Sequence, residues 1–324
     1  MAARTRAACS LRATAGRDNE LAVQPCPVVK WAGGKTRLLD RLLTRLPEGR
    51  FSTYAEPFCG GGAMFFRLSS YDKRLFDKAI LADKNAELVA LYTAIKEEVE
   101  PLTERLRAYQ EEHYRRDADG RREHFYEVRE QAPETNIERG ARLLFLNKTC
   151  FNGLWRVNAS GRFNVPFGKY AKPRILDSGA LLAAHEALQI ATILHADFSE
   201  VTKRLKKGDF AYFDPPYVPV SKTANFTAYS SPFGPEDQER LARDLAKLHK
   251  RGVRAMLSNA ATEEMRELYL RHEFHVTKIS AARAINSDPN KRGHVEELVV
   301  TTYGENKQTK RAVPARPVRR RATG

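Results

Sequence analysis

The chain contains few of the residues from which metal sites, disulfide frameworks and membrane spans are built. Its four cysteines, Cys9, Cys26, Cys59 and Cys150, are widely spaced and form no Cys-x-x-Cys pair, so we expect reduced thiols and no bound metal. No apolar run approaches the roughly 20 residues that cross a bilayer, and the first residues lack the apolar core of a signal peptide. These absences predict a cytoplasmic protein without a membrane or metal partner.

The chain also has fewer acidic residues than basic ones. The 324 residues include 55 Lys and Arg against 40 Asp and Glu, which gives a formal charge of +15 and a pI near 9.7. Such an excess favours a polyanionic partner such as nucleic acid. Hydrophobic residues make up 42% of the chain, enough for a sizeable core. Residues 1–24 show no periodicity and residues 305–324 form a basic tail, and we expect both ends to be disordered.

The most informative stretch is Asp214-Pro215-Pro216-Tyr217, at the end of an apolar run over residues 209–213. The carboxylate and the proline carbonyls accept hydrogen bonds, the prolines donate none, and the tyrosine offers a flat face. Together they suit a planar substrate with an amino group, such as adenine, whose two amino hydrogens need acceptors. The structural alternative is a buried strand followed by an ordinary Pro-Pro turn.

A second pattern, nearer the N-terminus, indicates a nucleoside pocket. A short strand over residues 54–58 leads into Gly60-Gly61-Gly62 and a helix, and a further strand ends in Asp83. Glycines allow close approach of a ligand and the acid can accept from ribose hydroxyls. Phe65 stands where a dinucleotide fold needs its third glycine, so a nucleoside without phosphates, such as S-adenosylmethionine, fits better than a nicotinamide cofactor.

Two further segments complete the pattern. Trp31-Ala32-Gly33-Gly34-Lys35 precedes a predicted helix over residues 36–46 and lacks the spacing of a Walker A loop.

From residue 85 to about 188 the sequence pattern is helical and charged, and its later part interleaves aromatic residues with Asn, Arg and Lys between glycines. That composition suits DNA contact. A packed β-hairpin with cross-strand aromatic pairs is the competing interpretation.

The alternation of strands and helices predicts an α/β fold with a mainly parallel sheet and an antiparallel edge strand. Ligands of such sheets lie beyond the carboxyl ends of the strands. We therefore expect the glycine loop, Asp83, Asp197 and Asp214 to converge at that edge.

Several separated motifs, in this order, resemble the Dam-type (D12 class) adenine-specific DNA methyltransferases over residues 31–303. They are Lys30-Trp31-Ala32-Gly33-Gly34-Lys35, Glu56-Pro57-Phe58-Cys59-Gly60-Gly61-Gly62, Asp83, Phe151-Asn152-Gly153-Leu154-Trp155-Arg156, Phe163-Asn164-Val165-Pro166-Phe167-Gly168 and Asp214-Pro215-Pro216-Tyr217. The resemblance implies a Rossmann-like S-adenosylmethionine-dependent methyltransferase core in residues 25–100 and 188–304. It also implies an inserted, mostly helical target-recognition domain in residues 101–187.

The resemblance carries over roles for individual residues. The catalytic set would be Asp214, Pro215, Pro216 and Tyr217. S-adenosylmethionine would contact Trp31, Lys35, Glu56, Phe58, Gly60, Gly62, Asp83, Asp197, Phe198 and Asp214. The target duplex would contact Lys30, Phe151, Asn152, Leu154 and Arg156, with Phe151 placed to intrude into it. Apart from the resemblance, the polar composition of residues 218–230 leaves two interpretations open: a loop that closes over the base, or an ordinary surface loop.

The function implied is site-specific methylation of the N6 amino group of an adenine that is extruded from a short site in double-stranded DNA. GATC is the default site of the family. The expected enzyme is a monomer, with a cognate restriction endonuclease as a functional partner but not a stable one. Two alternatives stay open: an RNA adenine methyltransferase on the same fold, and a non-catalytic DNA-binding relative.

Overall fold

A mostly parallel β-sheet forms the centre of the molecule. The computed structural model describes residues 23–35, 38–71, 73–217, 233–282 and 294–304. Its strands are β1 (Phe51–Glu56), β2 (Phe76–Asp83), β3 (Ala191–His195), β4 (Phe210–Phe213), β5 (Arg254–Ala260), β6 (His275–Ala282) and β7 (His294–Thr301). Within these residues they form one seven-stranded sheet in the order β3-β2-β1-β4-β5-β7-β6, in which β7 is antiparallel to both neighbours. The predicted α/β fold with an antiparallel edge is confirmed.

Helices cover both faces of this sheet. They are α1 (Leu39–Leu43), α2 (Ala63–Ser69), α3 (Ala86–Glu97), α4 (Val99–Arg115), α5 (Ala118–Glu130), α6 (Asn136–Thr149), α7 (Ser178–Leu188), α8 (Phe198–Arg204), α9 (Pro235–Lys250) and α10 (Glu263–Leu270). The core side chains of α1 to α7 form one apolar cluster, and those of α8 to α10 form the other. The sheet therefore lies between two layers of helices.

Strand β4 shows why this sequence forms a central strand. Phe210 and Tyr212 belong to one apolar cluster, and Ala211 and Phe213 belong to the other. All four are buried, because successive side chains of a strand point to opposite faces and both faces here are covered. A strand buried in this way delivers the residue that follows it, Asp214, to the carboxyl edge of the sheet.

The chain between β2 and β3 is mostly helical. Helices α4 and α6 pack against α3, and α5 packs against α4 and α6, through buried residues such as Leu106, Phe125 and Phe145. Helix α6 begins with a capping box, in which Thr135 and Glu138 satisfy each other's backbone amides. The predicted domain boundary after residue 100 falls within the first turn of α4, so α4 begins slightly before it.

Helix α1 is shorter than the predicted helix over residues 36–46. Its last regular residue is Leu43, and the hydroxyl of Thr44 donates to the carbonyl of Arg41 at 2.8 Å. The amides of Arg45 and Leu46 then bond to the carbonyls of Leu42 and Leu43, three residues back, so the chain leaves the α-helix through a tighter turn. Residues 36 and 37 lie outside the described part of the chain.

Other predicted segments also lie outside the described residues. They are the loop over residues 218–230, the polar loop over residues 288–293, residues 1–22 and the basic tail from residue 305. Among the helices that the structure does describe, none is long and apolar enough to cross a membrane.

A pair of buried histidines lies inside the helical layer. The rings of His113 on α4 and His124 on α5 are 5.7 Å apart and both contact Phe145. Within the described chain, neither ring nitrogen of His113 has a hydrogen-bond partner. Burial, followed by the positive charges of His124, Arg121 and Arg116, lowers the pKa of His113 from 6.5 to about 4.

This histidine should make stability depend on pH. The folded state holds His113 neutral, whereas the unfolded chain takes up a proton below pH 6.5, so stability present above that pH is lost as pH falls toward 4. We expect His113→Leu to reduce the slope of unfolding free energy against pH by about 1 kcal/mol per pH unit in this window. Urea unfolding at a series of pH values measures the slope. Equal slopes in the two proteins would contradict the assignment.

Candidate active site

Asp214 stands at the carboxyl end of the central strand β4, between β1 and β5. Pro215 and Pro216 follow it. Neither has an amide hydrogen, so at these two residues the backbone offers hydrogen-bond acceptors and no donors. The strand end therefore presents a carboxylate, two proline carbonyls and the ring of Tyr217 in one short segment.

A buried lysine is the ion-pair partner of Asp214. The Lys35 ammonium lies 2.8 Å from Asp214 Oδ1 and 3.6 Å from Glu297 Oε2, and it also donates to the carbonyl of Gly33 at 3.1 Å. The same ammonium lies 4.5 Å from the centre of the Tyr217 ring, whose hydroxyl donates to Glu297 Oε2 at 2.8 Å. The Lys35 ammonium therefore contacts two carboxylates and the face of the Tyr217 ring.

This arrangement sets the ionisation of Asp214. Burial raises the pKa of Asp214 from 3.8 to about 6; the ammonium of Lys35 opposes that rise and the charge of Glu297 adds to it. Asp214 is therefore mainly a carboxylate at neutral pH and becomes protonated only slightly below it.

A second buried carboxyl, Glu56 at the end of β1, lines the same space. Burial raises its pKa from 4.5 to about 8, against hydrogen bonds from the Tyr54 hydroxyl at 3.1 Å and the Phe65 amide at 3.2 Å. At pH 7 Glu56 is mostly protonated. The negative charge of the site is thus concentrated on Asp214 and Glu297.

The glycine loop after β1 is held by the acid at the end of β2. Asp83 accepts from the amide of Gly60 at 2.9 Å and from the amide of Asn85 at 2.8 Å, and the Tyr92 hydroxyl donates to the carbonyl of Gly60 at 2.7 Å. Gly60 has a φ of +49°, and a Cβ there would lie 3.0 Å from the Trp31 ring. Only glycine fits this turn without displacing the tryptophan.

Most of the predicted catalytic and cofactor residues line one cavity of about 190 Å³. Those that line it are Trp31, Lys35, Glu56, Phe58, Gly60, Asp214, Pro215, Pro216 and Tyr217. Asp83 stands behind the glycine loop, where it orients Gly60. Gly62, with a φ of +66°, starts α2 at the far end of the loop.

Asp197 and Phe198 have their side chains engaged elsewhere. Arg240 donates to both oxygens of Asp197, at 2.6 and 3.1 Å, and Lys84 pairs with it at 2.7 Å. Burial alone would raise the pKa of Asp197, but the bonds from Arg240 and Lys84 outweigh that effect and hold the pKa well below its usual range. The Phe198 ring is buried against Phe58, 5.4 Å away. Sequence reasoning did not indicate these partners; a cofactor contact by either residue stays a prediction.

The predicted DNA-contacting residues surround a tight turn after α6. Residues Phe151–Gly153 form a 3₁₀ turn in which Asn152 has a φ of +56°. Phe151 is 52% exposed and Leu154 is 38% exposed, so two large apolar side chains of this turn face solvent. Lys30 approaches from the N-terminal loop, and its ammonium donates to the carbonyl of Asn152.

The segment that follows is also a packed hairpin. Trp155 and Phe163 pair across it with ring centres 4.8 Å apart, and Val157 bridges Phe163 in antiparallel fashion. Arg156 donates to the side chain and the carbonyl of Asn164 at 2.7 and 3.2 Å. The rings pack on one side of this segment as the hairpin interpretation predicts, whereas DNA contact by the exposed Phe151 and Leu154 stays a prediction.

A larger groove of about 950 Å³ lies beside the cavity and shares Trp31 with it. Its walls include the basic side chains Lys84, Arg129, Arg142 and Arg162. Although this groove is larger than the cavity, Asp214 does not line it. The smaller cavity is therefore the candidate active site. Among the described residues, no group of three or more His, Cys, Asp or Glu is arranged to hold a metal ion.

Comparison with known proteins identifies the family. The model of the D12 class N6 adenine-specific DNA methyltransferases matches residues 31–285. The chain belongs to this family. This methyltransferase therefore acts on adenine N6 in DNA, which decides against the RNA-directed and non-catalytic alternatives. Its mainly parallel sheet between two layers of helices agrees with the predicted Rossmann-like α/β fold.

Individual relatives match over nearly their whole length. The type II methyltransferase M.MjaIII of Methanocaldococcus jannaschii is 40% identical over 290 residues, which cover 86% of this chain and 99% of that protein. The type II methyltransferase M1.LlaDCHI of Lactococcus lactis subsp. cremoris is 38% identical over 289 residues, or 86% of this chain and 95% of that protein. The DNA adenine methylase of Escherichia coli K12 is 35% identical over 274 residues, or 84% and 93%.

Sequence reasoning missed Glu297 of β7 in this methyltransferase. Its side chain is only 10% exposed and contacts both Lys35 and the Tyr217 hydroxyl. The signal was present, because a carboxylate next to the apolar run Leu298-Val299-Val300 sits in a buried strand and needs a partner. The residue that would supply this partner could not be identified from the sequence.

Removing the charge of Glu297 should change how the methyltransferase depends on pH. We expect Glu297→Gln to lower the pKa of Asp214, because the neighbouring negative charge raises it. We expect the acid limb of the pH–rate profile to follow the ionisation of Asp214 and therefore to move to lower pH in this variant. Single-turnover rates of DNA methylation at a series of pH values measure it.

The adjacent Glu296 provides a matched control, since it is exposed on the same strand. Glu296→Gln makes the same change in net charge and should leave the acid limb in place. An equal displacement in both variants would mean that net charge, and not contact with the Lys35 cluster, is responsible.

Proposed function

We propose that this cavity binds the extruded target adenine against Asp214, Pro215 and Tyr217. The observation that carries the proposal is the buried Asp214 carboxylate, paired with Lys35 at 2.8 Å, on the same cavity wall as the Tyr217 ring. Asp214 and the carbonyl of Pro215 would accept the two amino hydrogens of the base. The ring of Tyr217 would stack on its plane.

Holding both hydrogens directs the nitrogen lone pair. In free adenine that lone pair is delocalised into the ring, which makes the amino group a weak nucleophile. Two fixed acceptors oppose this delocalisation and aim the lone pair at the methyl donor, a combination of orientation and electrostatic stabilisation. After transfer, Asp214 would take up the proton that the amino group releases, which its pKa of about 6 permits near neutral pH.

The residues present fit S-adenosylmethionine, which would supply an electrophilic methyl group on a sulfonium. Because Gly60 has no Cβ, the Trp31 ring packs directly against this part of the loop. Glu56, Phe58 and Lys35 complete the wall of the cavity. Gly62 and Asp83 would hold the shape of the loop, and Asp197 and Phe198 would bound the adenine end of the cofactor.

The turn after α6 would read the DNA. Its exposed Phe151 is suited to intrude into the duplex in place of the extruded base. Lys30, Asn152, Leu154 and Arg156 would contact base edges or phosphates beside it. The charge of +15 supports general attraction to the phosphate backbone. GATC as the site, the monomeric state and a functional pairing with an endonuclease stay predictions.

The first test maps methylation directly. The enzyme is expressed in a host that lacks adenine methylation, and modified bases are located across the genome by single-molecule sequencing. We expect N6-methyladenine in one short motif. Asp214→Ala should lower the single-turnover rate by roughly a thousandfold, comparable to the loss of one preorganised catalytic hydrogen-bond partner, while the affinity for the duplex containing the motif is retained.

Asp77→Ala is the matched control, because Asp77 is 67% exposed and pairs with Arg50 on the surface. This variant should methylate DNA at the normal rate. Equal loss of methylation and of DNA affinity in Asp214→Ala would indicate a structural role for Asp214 instead of a catalytic one.

Direct transfer requires no cysteine nucleophile. Burial raises the pKa of Cys59, the cysteine on the cavity wall, well above its usual range, so it carries no appreciable thiolate at neutral pH. We expect Cys59→Ser to keep methylation within roughly tenfold of the unaltered enzyme, a loss of the size expected from a buried polar substitution. Loss of all turnover in a folded Cys59→Ser protein would argue for a covalent intermediate.

A further inference from the structure

The side chain of Asn147 joins the N-terminal loop to the turn that follows α6. Asn147 lies in the last turn of α6 and is 3% exposed. Its Oδ1 accepts from the amide of Lys30 at 2.9 Å, and its Nδ2 donates to the carbonyl of Lys30 at 2.9 Å and to that of Gly153 at 3.0 Å. One carboxamide therefore joins the turn to Lys30, which lies 117 residues before Asn147 in the chain.

The bonding pattern requires an amide. Asn147 binds both backbone groups of Lys30, as a neighbouring β-strand would, which fixes the position and the orientation of that residue. Both hydrogens of Nδ2 are used, each on a carbonyl. An aspartate in this place would have the same shape but no donor, and it would set a carboxylate oxygen against two carbonyl oxygens.

Packing around Gly153 brings the same two segments together. Gly153 has a φ of +63°, and a Cβ there would lie 3.0 Å from Lys30 Cδ and 3.1 Å from the carbonyl oxygen of Asn147. The stem of Lys30 thus lies directly on the turn, and its ammonium donates to the carbonyl of Asn152. There is no room for Lys30 and the turn to move independently.

We propose that Asn147 is a positioning residue for recognition of the target sequence. It sets the distance between the Lys30 ammonium and the turn residues Asn152 and Leu154, so that they contact the same site in a fixed register. The inference rests on the proposed function, in which these three residues contact the target. Base contacts depend on such register, whereas phosphate contacts tolerate small displacements because they carry no sequence information.

The test measures discrimination, not activity alone. The motif found by sequencing is placed in one duplex, and a set of duplexes differs from it by one base pair. The ratio of kcat/KM for the motif to kcat/KM for each altered duplex is determined for the unaltered enzyme and for Asn147→Asp. We expect this ratio to fall by roughly tenfold or more, the size of one lost bidentate base contact.

Asn158→Asp is the matched control. It adds the same charge to the same segment, but Asn158 uses its Oδ1 to accept from the amides of Ser160 and Arg162 at 3.1 and 2.9 Å. A carboxylate can keep both bonds. We expect the discrimination ratio of this variant to equal that of the unaltered enzyme, even if the added charge weakens its binding to every duplex alike.

Asn147→Asp also removes two buried hydrogen bonds and the stability that they contribute, so Gly153→Ala provides a second route to the same displacement. It leaves Asn147 intact and forces the turn away from Lys30. We expect it to lower the discrimination ratio too. A uniform fall in kcat/KM on all duplexes, or an unchanged ratio in a folded variant, overturns the proposal. A failure of the unaltered enzyme to methylate DNA adenine would instead overturn the proposed function.

Discussion

The buried ammonium of Lys35 is the constraint on which the active site depends. A buried cation is costly unless it is paired, and Lys35 is paired with Asp214 of the central strand end and with Glu297 of the antiparallel strand β7. Because Tyr217 bonds to the same Glu297, the ring and the carboxylate proposed to hold the base share one support. Lys35, Asp214 and Glu297 come from three distant parts of the chain, so this cluster exists only in the folded protein.

The N-terminal segment over residues 28–35 connects this support to the DNA-contacting turn. At one end Lys30 is bonded to Asn147, and at the other Lys35 is bonded to Asp214. Between them Trp31 covers the glycine loop and stacks on Trp155, with ring centres 6.2 Å apart. Within a few residues the segment therefore touches the glycine loop proposed to bind the cofactor, the carboxylate proposed to hold the base and the turn proposed to read DNA.

Much of this architecture could be predicted from the sequence because its signals are local. Apolar runs predicted the strands, and the ordered motifs predicted the family. Glu56, Gly60 and Asp214 line one cavity because parallel strands place their carboxyl ends at a common edge. The same rule did not indicate how Asp197 is used, since Arg240 and Lys84 occupy its carboxylate from helices and loops whose approach the sequence does not specify.

The sequence by itself determined the fold class, the family, and the residue types available for catalysis, because periodicity and motif spacing are properties of short stretches. Only the tertiary structure decided which carboxylate supports Tyr217 and which amide positions Lys30. Glu297 and Asn147 meet those partners across 80 and 117 residues of chain. No local pattern encodes such pairs. They form because a buried charge or amide must find a partner among whatever groups the folded core brings within hydrogen-bonding distance.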